Sequence, residues 1–213
     1  VGAGKTVAAR AATAGLDPSR HTVIYLPNPV IGPRGLHAEI VRALGDTPRF
    51  YTAQLIAQAQ EMLEAERGRR VVLVLDESHL LSSEQLEQLR MLTNSQMDSR
   101  ATFACVLLGQ PTLRRRLRQA TFAALDQRIA LRYTIDGMDL KETGDYLAHH
   151  LKLAGRSDTL FNDDAIGLIH EFSRGLPRQV NNLATQALIA AYVTNSSICD
   201  EKAARAALAE ASE

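Results

Sequence analysis

Cysteine is scarce in this chain of 213 residues, long apolar runs are missing, and no net charge is left over. Two cysteines, Cys105 and Cys199, are too few for a disulfide framework and lack metal-ligand spacing, so both are expected to be inert thiols in a reducing cytoplasm. The longest apolar stretches, such as Val71 to Leu75 and Ala104 to Leu108, fall far short of the ~18 to 20 residues that span a membrane. No charged-then-apolar leader opens the sequence, and no internal repeat or low-complexity tract interrupts it. What is present, 46% apolar and 23% charged residues, suits a soluble globular protein of one large domain, or of a medium domain plus a small one. Disorder and collagen-like chains are excluded.

The 24 basic and 24 acidic residues cancel unevenly. Up to Asp136, 17 basic less 13 acidic residues give +4; from Gly137 onward, 7 less 11 give −4. Neutrality therefore does not exclude a polyanionic partner for the first part.

The same division appears in the periodicity. His21 to Leu26, Val71 to Leu75 and Phe103 to Leu108 read as buried strands, and Ala130 to Ile135 alternates like a final one. Helical spacing fills the intervals over Val7 to Ala14, Leu36 to Leu44, Thr52 to Glu66, a capped start at Ser82 running through Leu92, Thr112 to Gln119 and Phe122 to Arg128. Strands alternating with helices predict a parallel sheet covered on both faces. From Gly137 every segment is helical: Leu140 to Ala154, Asp163 to Ser173, Pro177 to Thr194 and Glu201 to Ala211. The expected organisation is an α/β domain over 1–136 and an all-helical domain over 137–213.

Two motifs carry chemistry. Gly2-Ala3-Gly4-Lys5-Thr6 matches the last part of G-x-x-x-x-G-K-[ST], in which glycines let backbone amides curl around a β-phosphate. There Lys5 would reach the β and γ oxygens and Thr6 would turn its hydroxyl to Mg²⁺; the motif's first glycine would lie just before Val1. The second motif, Val71-Val72-Leu73-Val74-Leu75-Asp76-Glu77, has the form of a buried strand ending in a Walker B pair. Asp76 would join the Mg²⁺ shell and Glu77 would polarise an attacking water. An acidic helix cap after a core strand is the plain alternative.

With these motifs the sequence resembles the AAA+ ATPases, and more narrowly the ExeA-type (general secretion pathway protein A) family, which is similar to the origin-recognition and Cdc6-like branch. Further residues carry the resemblance in order along the chain: Leu-Pro-Asn-Pro at 26 to 29, Leu-Asp-Glu-Ser-His at 75 to 79, Leu-Leu-Gly-Gln-Pro at 107 to 111, Leu-Asp-Gln-Arg-Ile at 125 to 129, and Gly-Leu-Pro-Arg-Gln-Val-Asn-Asn at 175 to 182. The resemblance implies a three-layer P-loop AAA+ sheet followed by a small α-helical lid, with ATP and Mg²⁺ as ligands. It also implies residue roles. Asn28 would restrain the catalytic glutamate, although a turn asparagine between prolines explains it equally. Gln110 would act as sensor 1, where many relatives carry asparagine. Arg128 would be an arginine finger reaching a neighbouring subunit, with Arg132 competing for the role. Arg178 would be sensor 2, reaching from the lid to the γ-phosphate. His79 would hydrogen-bond behind Glu77. His149 and His150 are expected on the surface, and Arg114, Arg115, Arg116 and Arg118, with Arg67, Arg69 and Arg70, form either a phosphate-backbone track or a solvated face.

Such roles imply a homo-oligomer with ATP sites between subunits. The sequence reading favours a DNA-transposition helper, resembling target-selecting ATPases that bind duplex DNA and recruit a transposase, because the chain stops at Glu213 after the lid. A secretion-pathway ATPase assisting secretin assembly and a non-catalytic nucleotide sensor are the alternatives. A strand preceding Val1 is also expected, feeding the phosphate loop between the strands that end at Leu108 and Ile135.

Overall fold

Three hydrophobic runs pair side by side because each is too apolar to remain in water and carries a full row of backbone donors and acceptors. In the computed structural model, which describes residues 2–65, 68–93 and 103–211, β1 (His21–Leu26), β2 (Arg70–Leu75) and β3 (Phe103–Leu107) form a parallel sheet in that order. Glu66, Arg67 and Glu213 lie outside the described residues. The register sets Leu26 beside Leu75 and Leu75 beside Leu107. Pro27 follows β1 directly and cannot donate to the ladder, which ends there.

One face of the sheet carries Ile24, Leu26, Val71, Leu73 and Leu75, all buried against α2 (Gly32–Ala43), α3 (Thr52–Ala65) and α4 (Ser83–Leu92). Each such side chain contributes ~1.5–3 kcal/mol on full burial. On the other face Val74 is buried, whereas Val23, Tyr25 and Val106 are 40%, 45% and 38% exposed. On that side β2 buries Val74 but leaves Val72 half-buried, and the neighbouring strands are open.

The expected start of α4 takes the form of a capping box: the Ser82 hydroxyl accepts from Gln85 N–H at 3.1 Å, and the Gln85 amide oxygen accepts from Ser82 N–H at 2.9 Å. Two expectations are corrected. In place of the helix expected over Phe122 to Arg128, only one turn, α6 (Ala123–Asp126), forms, preceded by a 3₁₀ turn at Ala120–Phe122 that follows α5 (Pro111–Leu117). Ala130 to Ile135 forms no strand: its alternation is real, yet it pairs with no strand among the described residues, and Leu131 and Tyr133 are 83% and 86% exposed. Local pattern without a hydrogen-bonding neighbour does not make a ladder.

The helical segments form a second core. α7 (Leu140–Leu153), α8 (Asp163–Ser173), α9 (Pro177–Val193) and α10 (Glu201–Ala211) bury Leu147, Phe161, Ile169 and Val180, with Ala187 and Ala204 among the small residues where α9 and α10 approach closely. Asp139 and Glu142 make a capping box on α7, and Asn162 caps α8 through Ala165 N–H. Contacts divide the chain into two compact units, Thr6–Arg132 and Tyr133–Glu213, the latter joined by Val1–Lys5. In the helical unit Gly137 and Gly175 mark a backbone crossing. A Cβ at Gly137 would lie 1.9 Å from Arg174 O, one at Gly175 would lie 1.9 Å from Met138 O, and Met138 N–H donates to Gly175 O at 2.9 Å. No side chain larger than hydrogen fits at either place. His149 and His150 are exposed on α7, where the His150 ring packs on Tyr146. Among the described residues no helix is long and apolar enough to cross a membrane.

One buried base predicts a pH effect. His37 on α2 is 1% exposed, with Nδ1 3.1 Å from Pro33 O, and burial pushes its imidazole below the ordinary value. The folded protein therefore keeps His37 neutral at a pH where the unfolded chain, near its usual value of about 6.5, takes up a proton. The associated stability is full above that value and falls as the solution is acidified. Melting temperature should drop from pH 7 to pH 5, and His37→Gln should flatten the drop; an identical slope in both proteins would count against the assignment.

Candidate functional site

The glycines of the first motif adopt backbones that other residues rarely tolerate: Gly2 has φ +82° and Gly4 φ +83°. Directly after them α1 (Lys5–Ala14) begins, so Lys5 and Thr6 lie at a helix N-terminus, where free N–H groups and the helix dipole favour an anion. A Cβ on Gly2 would approach Arg178 Cβ to 2.7 Å, and Arg178 N–H lies 3.3 Å from Gly2 O. Pro177, in the first turn of α9, presets that turn, placing the exposed Arg178 beside the glycine loop.

The second motif meets the first. Thr6 Oγ1 donates to Asp76 Oδ2 at 2.6 Å across 70 residues of sequence. Asp76 is 4% exposed, and its backbone N–H continues the ladder to Leu26 O at 2.9 Å. A second donor was not singled out from the sequence: the Tyr25 hydroxyl donates to the same Oδ2 at 2.9 Å. Burial, with Asp76 alongside, pushes the Tyr25 phenol above its ordinary value, so it remains a donor at neutral pH. The signal was present in the strand parity. Tyr25 pairs with Val74, and two residues on, Asp76 projects from that same face.

Glu77 follows in the left-handed region, φ 49° and ψ 33°, although it has a Cβ. Such strain persists only where surroundings fix it. Here Glu77 N–H donates to Asp76 Oδ1 at 2.8 Å, Ser78 N–H to Leu108 O at 2.7 Å, and the fully buried Ser78 hydroxyl to Leu75 O at 2.7 Å. This turn leaves the Glu77 side chain half exposed beside Asp76. His79 Nδ1 is 3.3 Å from Glu77 Oε2 without forming a hydrogen bond to it.

The remaining candidates are placed as follows. The Ser78 to Leu108 bond ties the acidic turn to the end of β3, and half-buried Gln110 caps α5 two residues later without a side-chain cap bond. Asn28 Oδ1 accepts from Val30 N–H at 3.0 Å, so in this structure its side chain closes its own turn. Half-buried Arg128 follows α6. Its competitor Arg132 is held within the same unit, 2.8 Å from Asp126 Oδ1 and donating to Asp126 O at 2.7 Å. Arg116 is likewise engaged, donating to Leu81 O and Ser83 Oγ with its guanidinium over the Phe122 ring, which removes it from any solvent-facing track. Burial pushes the Cys105 and Cys199 thiols up to about 12 and about 11, so neither is a nucleophile near neutrality.

Thr6 and Asp76 offer a hydroxyl and a carboxyl oxygen 2.6 Å apart, the hard donor set that Mg²⁺ takes together with water and phosphate. Left-handed glycines ahead of a helix, lysine and threonine at its start, and a buried aspartate ending a parallel strand define a P-loop nucleotide-binding α/β fold. The AAA domain family profile matches residues 1–117, more than half the chain. General secretion pathway protein A of Aeromonas hydrophila is 33% identical over 201 residues, covering 92% of this chain and 36% of that protein. Among solved structures, Cdc6p from Pyrobaculum aerophilum has a TM-score of 0.70 at 20% identity, over 93% of this chain and 55% of its own. Drosophila ORC bound to DNA has a TM-score of 0.68 at 19% identity, over 100% of this chain and 53% of its own. Those two likenesses are of fold alone. The chain belongs to the AAA+ family of P-loop ATPases, and it spans about a third of the length of the curated relative it matches.

Proposed function

We propose that this chain binds and hydrolyses ATP with Mg²⁺ as one subunit of an oligomeric switch whose ATP sites lie between subunits. The observation that carries the reading is the 2.6 Å bond between Thr6 and Asp76, which joins the phosphate-binding and acidic motifs. In this reading residues 1–136 are the nucleotide-binding domain and 137–213 the lid. The amides of Gly2, Ala3 and Gly4 cradle the β-phosphate, Lys5 neutralises the β and γ oxygens, and Thr6 and Asp76 hold the metal. Mg²⁺, when bound, offsets charge on the β- and γ-phosphate oxygens. Glu77 accepts a proton from the attacking water, Gln110 orients that water or the γ-phosphate, and Arg178 reports γ-phosphate occupancy from the lid. Arg128 reaches the neighbouring subunit's site, while Asn28, once its turn is released, restrains Glu77.

For the biological role, 33% identity over nearly the whole chain supports a secretion-pathway ATPase. The DNA-transposition helper that recruits a transposase is the second reading, favoured by the +4 balance of residues 1–136 and by exposed Arg114, Arg115 and Arg118 on and just after α5. Phosphate release from Mg²⁺-ATP, measured with and without duplex DNA at low and high salt, separates them. Salt-sensitive stimulation by DNA is expected only for the second. No release under any condition, with nucleotide binding intact, would overturn hydrolysis itself.

A further inference from the structure

The acidic end of β2 carries a side-chain contact that the proposed reaction does not use. Asp76 Oδ2 accepts from Thr6 Oγ1 at 2.6 Å and from the Tyr25 hydroxyl at 2.9 Å, while Oδ1 accepts from Glu77 N–H at 2.8 Å. Three donors therefore converge on a carboxyl that is 4% exposed. They differ in what a bound cation asks of them. Thr6 has to turn a lone pair toward the metal, and the Glu77 amide is fixed in a strained turn. The phenol, on the adjoining strand, is under neither constraint and holds Oδ2 from the side.

We propose that Tyr25 is a positioning residue for the metal site, its hydroxyl holding the Asp76 carboxyl in the rotamer that receives Mg²⁺ with the nucleotide. The proposal rests on the reading that Thr6 and Asp76 hold the metal. It extends that reading to a residue on a different strand, to which that reading assigns no contact with phosphate or cation. Groups behind a metal ligand fix its orientation, and removing one typically weakens metal binding by 10-fold or more, on the order of 10–100-fold. Tyr25 suits an isosteric test because the residue is 45% exposed and lies outside the apolar core, so loss of the hydroxyl disturbs no core packing.

The experiment is a binding titration on the full-length protein, with a fluorescent ATP analogue as probe, first in EDTA and then with increasing Mg²⁺. Tyr25→Phe should bind the analogue as tightly as the parent in EDTA and melt at the same temperature. Its Mg²⁺ midpoint should rise by roughly tenfold. Thr6→Val and Asp76→Asn are measured alongside. If these two shift the midpoint and Tyr25→Phe leaves it unchanged or lowers it, Tyr25 has no positioning role and the metal reading stands. If none of the three moves it, the metal reading fails and the proposal with it. Equal weakening of Tyr25→Phe in EDTA and in Mg²⁺ would show a general structural effect and would also overturn the proposal.

Discussion

Glu77→Gln is expected to retain ATP binding and to lower turnover by roughly 10²- to 10⁴-fold, the range that a positioned general base supplies. The amide keeps the size of the carboxyl and removes its ability to accept a proton. The backbone argues for a task at this position. A glutamate at φ 49° is strained, and its turn is stitched by Ser78 to Leu108 and by the Ser78 hydroxyl to Leu75. An acid that merely capped a strand would need none of this. Steady-state phosphate release paired with nucleotide binding checks the expectation, and turnover equal to the parent's would sink the assignment. If turnover is lost while the biological output is retained, the protein works as a nucleotide sensor.

The second large effect concerns Arg128. Arg128→Ala and Lys5→Ala should each reduce turnover by about 10³-fold or more, the first by withdrawing transition-state charge stabilisation and the second by emptying the phosphate loop. Mixed together they should recover activity. An Arg128→Ala subunit keeps its own Lys5, and a Lys5→Ala neighbour can lend it an intact Arg128. Equal mixing in a head-to-tail assembly makes roughly a quarter of the interfaces competent. Arg132→Ala should keep most of the turnover, its guanidinium being paired with Asp126 within its own chain. Absence of rescue at any mixing ratio would remove Arg128 from the role.

The parts of this site that were legible in the sequence are those encoded by contiguous residues. Gly-Ala-Gly-Lys-Thr names its own backbone, and the run ending in Asp76 names its own strand. His21–Leu26 was readable as a strand because its apolar run ends at Pro27, and α4 because Ser82 and Gln85 have capping chemistry. What escaped depends on partners. Ala130 to Ile135 alternates as well as many strands do, but pairing is a property of two segments. Tyr25 read as one more apolar strand residue because its hydroxyl acquires meaning only through the register that brings it to Asp76. Asn28 remained ambiguous for a related reason: a restraint on Glu77 and a bond to Val30 N–H ask for the same side chain, and this structure contains the second.

The capping box of α4 has a consequence beyond the helix it starts. Gln85 gives its oxygen to Ser82 N–H, and its Nε2 donates to Pro29 O at 2.6 Å, 56 residues away in sequence. One buried amide is thus a strut between the turn that holds Asn28 and the helix leaving the acidic turn. Glutamate would serve the cap equally well but would set oxygen against the Pro29 carbonyl, so the choice of amide over acid is where this linkage is written. Any displacement of the Pro27-Asn28-Pro29 turn must either carry the start of α4 with it or break the strut, which gives that turn and the start of the helix a shared mechanical fate.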